Sequence, residues 1–144
     1  MSEIRSESFL AHPPEKVWHV LTDPVLLARW LMPNNFEARL GHQFNFTTDP
    51  VPSQGFDGVV HCEVLALDPP RMLQISWAGG HTLRTTVTWR LAPEGTGTKL
   101  LLVHDGFDDG DPQQLATMQI LGGGWRGHMA RRLQLTLEEV KEQD

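Results

Sequence analysis

The stretch LRTTVTWRL, residues 83–91, sets Leu83, Val87, Trp89 and Leu91 on one side and Arg84, Thr86, Thr88 and Arg90 on the other. Successive side chains of a strand point to opposite faces, so this alternation describes a half-buried β-strand. No other segment shows period two as cleanly. Pro93 to Gly97 turns the chain, and Leu100 and Leu102 then alternate with Lys99, Leu101 and Val103. His104 falls on the same face as Leu100 and Leu102. Toward the N-terminus, Gly79-Gly80 marks a turn, preceded by Leu73, Ile75 and Trp77 alternating with Gln74 and Ser76. Asp68-Pro69-Pro70 is a further turn. Gly58 to Leu67 is mostly apolar and its facing is ambiguous, while Phe44 and Phe46 alternate with Gln43, Asn45 and Thr47. Ile4 to Leu10 is a short strand of weak alternation. Strands joined in succession by short turns pair antiparallel.

Helices flank these strands. Pro14 suits the first turn of a helix and Glu15 its positive end. Val17, Trp18 and Leu21 continue that helix to Leu21. Asp23-Pro24 starts a second, with Leu26, Leu27 and Trp30 on its apolar side, and Pro33-Asn34-Asn35 ends it. Near the C-terminal end, Leu115, Met118, Leu121, Trp125, Met129, Leu133, Leu137 and Val140 recur at steps of three and four. That spacing predicts a helix over 113–140, about 42 Å long at the α-helical rise. Gly122, Gly123 and Gly124 lie inside it, each costing roughly 1 kcal/mol relative to alanine. The favoured reading is a frayed or kinked start, with the firm helix beginning near Gly124. The alternative is that small residues let something approach the backbone. One sheet with one apolar face and one long helix with one apolar stripe must cover each other. The expected fold is α+β: an antiparallel sheet of about six or seven strands wrapped around a long C-terminal helix, with two short helices after the first strand. It forms a single domain over residues 1–144.

Composition narrows the function. Twelve Lys and Arg against 18 Asp and Glu give a net charge of -6. A nucleic-acid partner calls for a basic face, and none is expected here. The paired Arg131-Arg132 sits on the exposed side of the helix. Cys62 is the single cysteine, which excludes an internal disulfide and a cysteine-based zinc cluster. No apolar run approaches the length of a membrane span, so no membrane insertion is expected. The polar start of the chain lacks a signal-peptide core, which makes the cytoplasm the expected address. Seven histidines are present, but none pairs across a helical turn with carboxylate support, so no metal is expected. Cys62, in an apolar strand, reads as an inert thiol. There is no Gly-x-Ser-x-Gly elbow. The glycine run lacks the lysine and hydroxyl residue that follow a phosphate loop. No cofactor is expected.

Four segments carry a family resemblance. FLAHPPEKVWHVLTDPVLLARW (9–30) resembles the opening of the START-like, or SRPBCC, superfamily. More narrowly, it is similar to the family named after the activator of heat-shock-protein-90 ATPase homologue. EVLALDPPRMLQISW (63–77) resembles that family's strand–turn–strand ending in tryptophan. TVTWRLAPEGTGTKLLLVHDGF (86–107) resembles its closing strand pair, and GGGWRGHMARRLQLTL (122–137) the start of its final helix. The resemblance implies the helix-grip fold, with a cavity between sheet and helix, and a link to the stress response. The superfamily hosts lipid carriers, hormone receptors, cyclases and co-chaperones. The eponymous co-chaperone carries a separate N-terminal domain, for which this chain has no residues to spare. A chaperone partner therefore ranks below a small-molecule one.

Trp30, Trp77, Trp89 and Trp125 all fall on inward faces. Trp18 and Trp89 read as core. Trp77 and Trp125 adjoin glycines that leave room, and are the first candidates to line a cavity for a small apolar ligand. His104, Phe44, Phe46, Ile75, Leu83, Leu102, Met118 and Met129 complete the expected wall, the methionines suiting a surface that adapts to shape. His104 has two readings: a core histidine bonded to a loop backbone, or a polar anchor for a ligand. As an acid or base it would also serve an enzyme of the cyclase or hydrolase type, with His61, Glu63 and His128 as further polar candidates.

Overall fold

The structure, a computed structural model, describes residues 2–79 and 83–140. Strand β1 (Ser2–Leu10) is followed by helices α1 (Pro14–Thr22) and α2 (Pro24–Trp30). Then come β2 (Gln43–Thr47), a 3-10 turn (Pro52–Gln54), β3 (Val59–Asp68), β4 (Met72–Gly79), β5 (Leu83–Glu94) and β6 (Gly97–Phe107). Helices α3 (Pro112–Gly123) and α4 (Met129–Glu139) are joined by a single π-helical turn (Gly124–His128). The six strands form one antiparallel sheet in the order β1-β6-β5-β4-β3-β2. Of the expected Gly79-Gly80 turn, Gly80 lies outside the described residues.

Local chemistry explains the short helices. The Asp23 carboxylate caps α2 by accepting from the amides of Val25 at 2.9 Å and Leu26 at 3.2 Å. Pro14 and Pro24 each open a helix. Helix α1 buries Val17, Val20 and Leu21, while Trp18 sits off the stripe and is only partly buried. The Trp30 indole donates to the Val20 carbonyl at 3.2 Å and meets Trp89 edge-on at 6.4 Å. The two short helices and the sheet are thereby locked into one core.

Strand facing follows the alternation. Leu83, Val87, Trp89 and Leu91 of β5 are buried, and so are Leu100, Leu102 and His104 of β6. The ambiguous β3 turns Val60, Cys62 and Val64 inward. His61 and Glu63 therefore face away from the helix, which removes them from its interior side.

The long helix departs from the expected firm start near Gly124. It begins at Pro112, where the Asp111 carboxylate accepts from the Gln113 amide at 2.9 Å, and it runs unbroken over 28 residues. Packing replaces the propensity that the glycines give up. Gly122 is buried beside Ile4 of β1, and at Gly124 an added Cβ would lie 2.8 Å from Met129 Cε. The irregularity is the π turn itself, which carries the buried Trp125. Helix α4 buries Leu133, Thr136 and Leu137 and packs on α1 and α2. In α3 only Gln114 and Gly122 are buried. Among the described residues, no helix is long and apolar enough to cross a membrane.

Leu137 is fully buried whereas Leu135, two residues earlier, is 56% exposed. Leu137→Ala is expected to cost about 2–5 kcal/mol in urea unfolding, and Leu135→Ala to stay within about 0.5 kcal/mol. Equal losses would contradict this placement of the helix.

Candidate functional site

His104 stands at the centre of the interior, fully buried on β6 and paired across the sheet with Val87. Its Nδ1 accepts from the Trp125 indole N–H at 3.1 Å. That bond leaves the ring proton on Nε2, which donates to the Thr85 hydroxyl at 2.7 Å. Thr85 in turn donates to the Trp77 carbonyl at 2.8 Å. Burial pushes the imidazole pKa down from 6.5 to about 3, so the ring is neutral. The partners are thus two side chains, an indole and a hydroxyl, and not the expected loop backbone. Both ring nitrogens are engaged, which leaves no lone pair or proton free for a ligand. Trp77 lies 5.5 Å from His104 and 5.6 Å from Trp125, and Phe107 lies 4.7 Å from His104. This part of the interior is packed solid.

Space opens on either side of that cluster. Beyond Trp77 lies a cleft of about 230 Å³. Trp77 and Gly79 of β4, Leu83 of β5 and Val60 of β3 form one wall. Thr117, Ile120 and Leu121 of α3 face them, with Met32, Thr48, Val51 and Phe56 closing the sides from the connecting segments. Ile120 and Val51 are exposed at its rim. On the opposite side a pocket of only about 50 Å³ lies among Trp30, Trp89, Leu102, Trp125, Met129 and Leu133. That volume suits a few waters at most.

The expected wall residues are therefore divided. Trp77 and Leu83 line the cleft. Trp125, Leu102 and Met129 line the small pocket. His104 lines neither. Phe44, Phe46 and Ile75 are core residues, with Phe44 and Phe46 meeting at 5.4 Å and Phe46 backing Trp77 at 5.5 Å. Met118 is partly buried against the core. His61 and Glu63 border a shallow groove on the sheet's outer face with Arg84 and Asn45. His128 is exposed and lies 3.3 Å from Arg132. Cys62 is buried, and desolvation pushes its thiol pKa far up. Thr85 escaped the sequence reading, although a lone hydroxyl within the inward series of β5 marks it. Ile120 also left a signal, as a large apolar residue off the helical stripe. Met32, Thr48, Val51 and Phe56 sit in segments without periodicity and left none.

A curved antiparallel sheet gripping one long helix, with a cleft at one end of their interface, defines a helix-grip domain of the START-like type. Within it, the chain belongs to the family described as Activator of Hsp90 ATPase homolog 1-like protein, whose model matches residues 11–138. Among solved structures it is similar to protein MLL2253 from Mesorhizobium loti, at 34% identity over 98% of this chain and 100% of that one, with a TM-score of 0.85. It is also similar to protein BH1534 from Bacillus halodurans, at 26% identity over 95% and 97% of the two chains, with a TM-score of 0.78. CalU16 from Micromonospora echinospora matches at 26% identity over 94% and 83%, with a TM-score of 0.64. No curated protein matches the chain significantly.

The buried histidine makes stability depend on pH. Its folded pKa of about 3 lies below the ordinary 6.5, so the unfolded chain binds a proton that the folded one refuses. Stability from this group is complete above pH 6.5 and is lost as pH falls toward 3, by at most about 1.4 kcal/mol per pH unit. In urea unfolding between pH 6 and 4, the native chain is expected to lose stability more steeply than His104→Gln, by roughly 1 kcal/mol per unit. Parallel slopes would contradict a neutral, buried His104.

Proposed function

We propose that this chain is a binding domain that holds a small apolar molecule in the cleft between α3 and the strand ends of β4 and β5. The observation that carries this reading is the character of the cleft walls. Met32, Phe56, Val60, Trp77, Leu83 and Leu121 offer contiguous apolar surface beside solvent-exposed Val51 and Ile120. Apolar concavity with a few polar groups is the general form of a small-molecule site. Membership of a helix-grip family supports it, since the grip of sheet on helix is what creates internal space.

Binding ranks ahead of catalysis for a stated reason. General acid–base work needs a titratable group within hydrogen-bond reach of the substrate. Among the described residues, none that lines the cleft is ionisable. His104 is the nearest analogue of such a group in the interior, and both its nitrogens are committed.

The test uses phenylnaphthylamine, a neutral dye that brightens in apolar surroundings. It is expected to bind the folded chain and to quench tryptophan emission, because Trp77 forms part of the wall. Leu121→Trp, which fills the cleft from the helix side, is expected to weaken the dye at least about tenfold while leaving the unfolding midpoint near that of the native chain. Undiminished binding in that variant would refute the assignment of the cleft.

A further inference from the structure

We propose that the chain forms a symmetric dimer through the open edge of β1. That strand pairs antiparallel with β1 of a second copy, about a two-fold axis at Ser6, and the two sheets run on as one.

The two edges of the sheet are treated differently. At β2 the segment 33–35 covers the edge. Asn34 bridges Phe46, the Thr47 amide donates to the Pro33 carbonyl at 3.0 Å, and the Asn45 amide donates to the Asn35 side chain at 2.7 Å. Strand β1 pairs with β6 alone among the described strands. Its bonding direction can be traced across the sheet. The Leu91 amide of β5 donates to Arg71 on the β4 side. Backbone groups alternate in direction along a strand, so Thr88 turns to β6 and bonds Val103. Val103, turned toward β5, leaves its β1 partner Arg5 unbonded. The amides and carbonyls of Glu3, Arg5, Glu7 and Phe9 therefore face outward. Among the described residues, only the Arg126 guanidinium reaches them, through an exposed contact of 3.3 Å to the Arg5 carbonyl.

An open edge invites a further strand unless prolines or opposed charges blunt it. Strand β1 holds no proline, and Glu3, Arg5 and Glu7 stand exposed in a row on one face. Their order selects the partner and the register. Outward groups must meet outward groups, so odd positions pair with odd ones. An axis at Arg5 would set Arg5 against itself and Glu3 against Glu7. An axis at Glu7 would set Glu7 against itself. An axis at Ile4 matches Glu3 with Arg5 but leaves half the strand unpaired. An axis at Ser6 overlaps the whole strand and sets Arg5 opposite Glu7 of the second copy, twice by symmetry. Within one copy Arg5 lies 3.8 Å from Glu3, and Glu7 meets Lys99 at 2.7 Å. Across the axis these pairs join into two rows of alternating sign, Glu3–Arg5 on one copy continuing to Glu7–Lys99 on the other. On the helix-facing side, Ser6 and Ser8 border the small pocket beside Ala130 and Gln134, so little bulk obstructs the joint.

The experiment is sedimentation velocity on the full chain, over a concentration series reaching the millimolar range. The native chain is expected to approach twice the monomer mass. Arg5→Glu and Glu7→Arg each place like charges opposite at both symmetric contacts, and each is expected to weaken association at least about tenfold. The variant carrying both changes restores the pairs in reverse and is expected to return to within about threefold of the native chain or better. Both side chains are exposed, so the fold stands in all three. Ser6→Cys supplies a second readout. Directly opposed residues of a non-bonded pair lie about 4.5 Å apart at Cα, within reach of a disulfide. Mild oxidation is expected to link Ser6→Cys into covalent dimers, while Ser8→Cys, opposite Ile4 of the second copy, stays unlinked. Cys62 is buried and does not compete. A native chain that remains monomeric throughout overturns the inference. So does a dimer that both single charge reversals leave intact, or one that Ser8→Cys links as readily as Ser6→Cys.

Discussion

One chain of hydrogen bonds holds helix and sheet in register: Trp125 to His104, His104 to Thr85, and Thr85 to the Trp77 carbonyl. Buried polar groups are costly when unpaired, and here each is satisfied by the next. No buried side-chain nitrogen or oxygen among the described residues lacks a partner. The chain crosses three elements of the sheet and the helix. It can form only when β5 and β6 pair Val87 with His104 and the π turn points Trp125 inward. Sliding either strand by one residue would bury an unpaired imidazole or indole. The interaction therefore specifies the arrangement as well as stabilising it.

The π turn has a second effect. It inserts extra backbone into the helix and so offsets the face of α3 from that of α4. Helix α4 keeps a clean apolar stripe through Leu133 and Leu137, and it closes the core against α1 and α2. Helix α3 buries little, and turns Thr117, Ile120 and Leu121 to the cleft. One rod thus serves two tasks, sealing at its C-terminal half and roofing at its N-terminal half. The polar chain lies at the junction and plugs the interior between the two regions. The larger space lies on the α3 side, where the described walls are apolar and carry no titratable group.

The strands were legible in the sequence because period two survives wherever one face is buried. Leu83 to Leu91 and Leu100 to His104 show this, and so does the helical stripe from Trp125 to Leu137. The glycine run misplaced the start of the firm helix, which is Pro112 and not Gly124, although the helix's one irregular turn does begin at Gly124. Burial of Gly122 beside Ile4 and the seating of Trp125 outweighed the low propensity of the glycines, as tertiary packing often does. The aromatic and histidine content of the interior was legible, but not its division. Trp77 and Trp125 both point inward, yet periodicity cannot say that they meet each other and His104 in one packed cluster. Thr85 shares the inward parity of Leu83 and Val87, but nothing in the sequence pairs its hydroxyl with His104. The sides of the cleft come from loops such as 48–56, whose positions are fixed by the fold and by no local pattern.

The most direct test is methyl NMR of the chain titrated with naphthalene. Leu83, Ile120 and Leu121 lie on the open side of the plug, and Leu102 and Leu133 lie beyond it. Shift changes confined to the first group, with the second unmoved, are the expected result. Comparable changes at Leu102 and Leu133 would mean that the probe passes or displaces the Trp125–His104–Thr85 chain, and would contradict a divided interior.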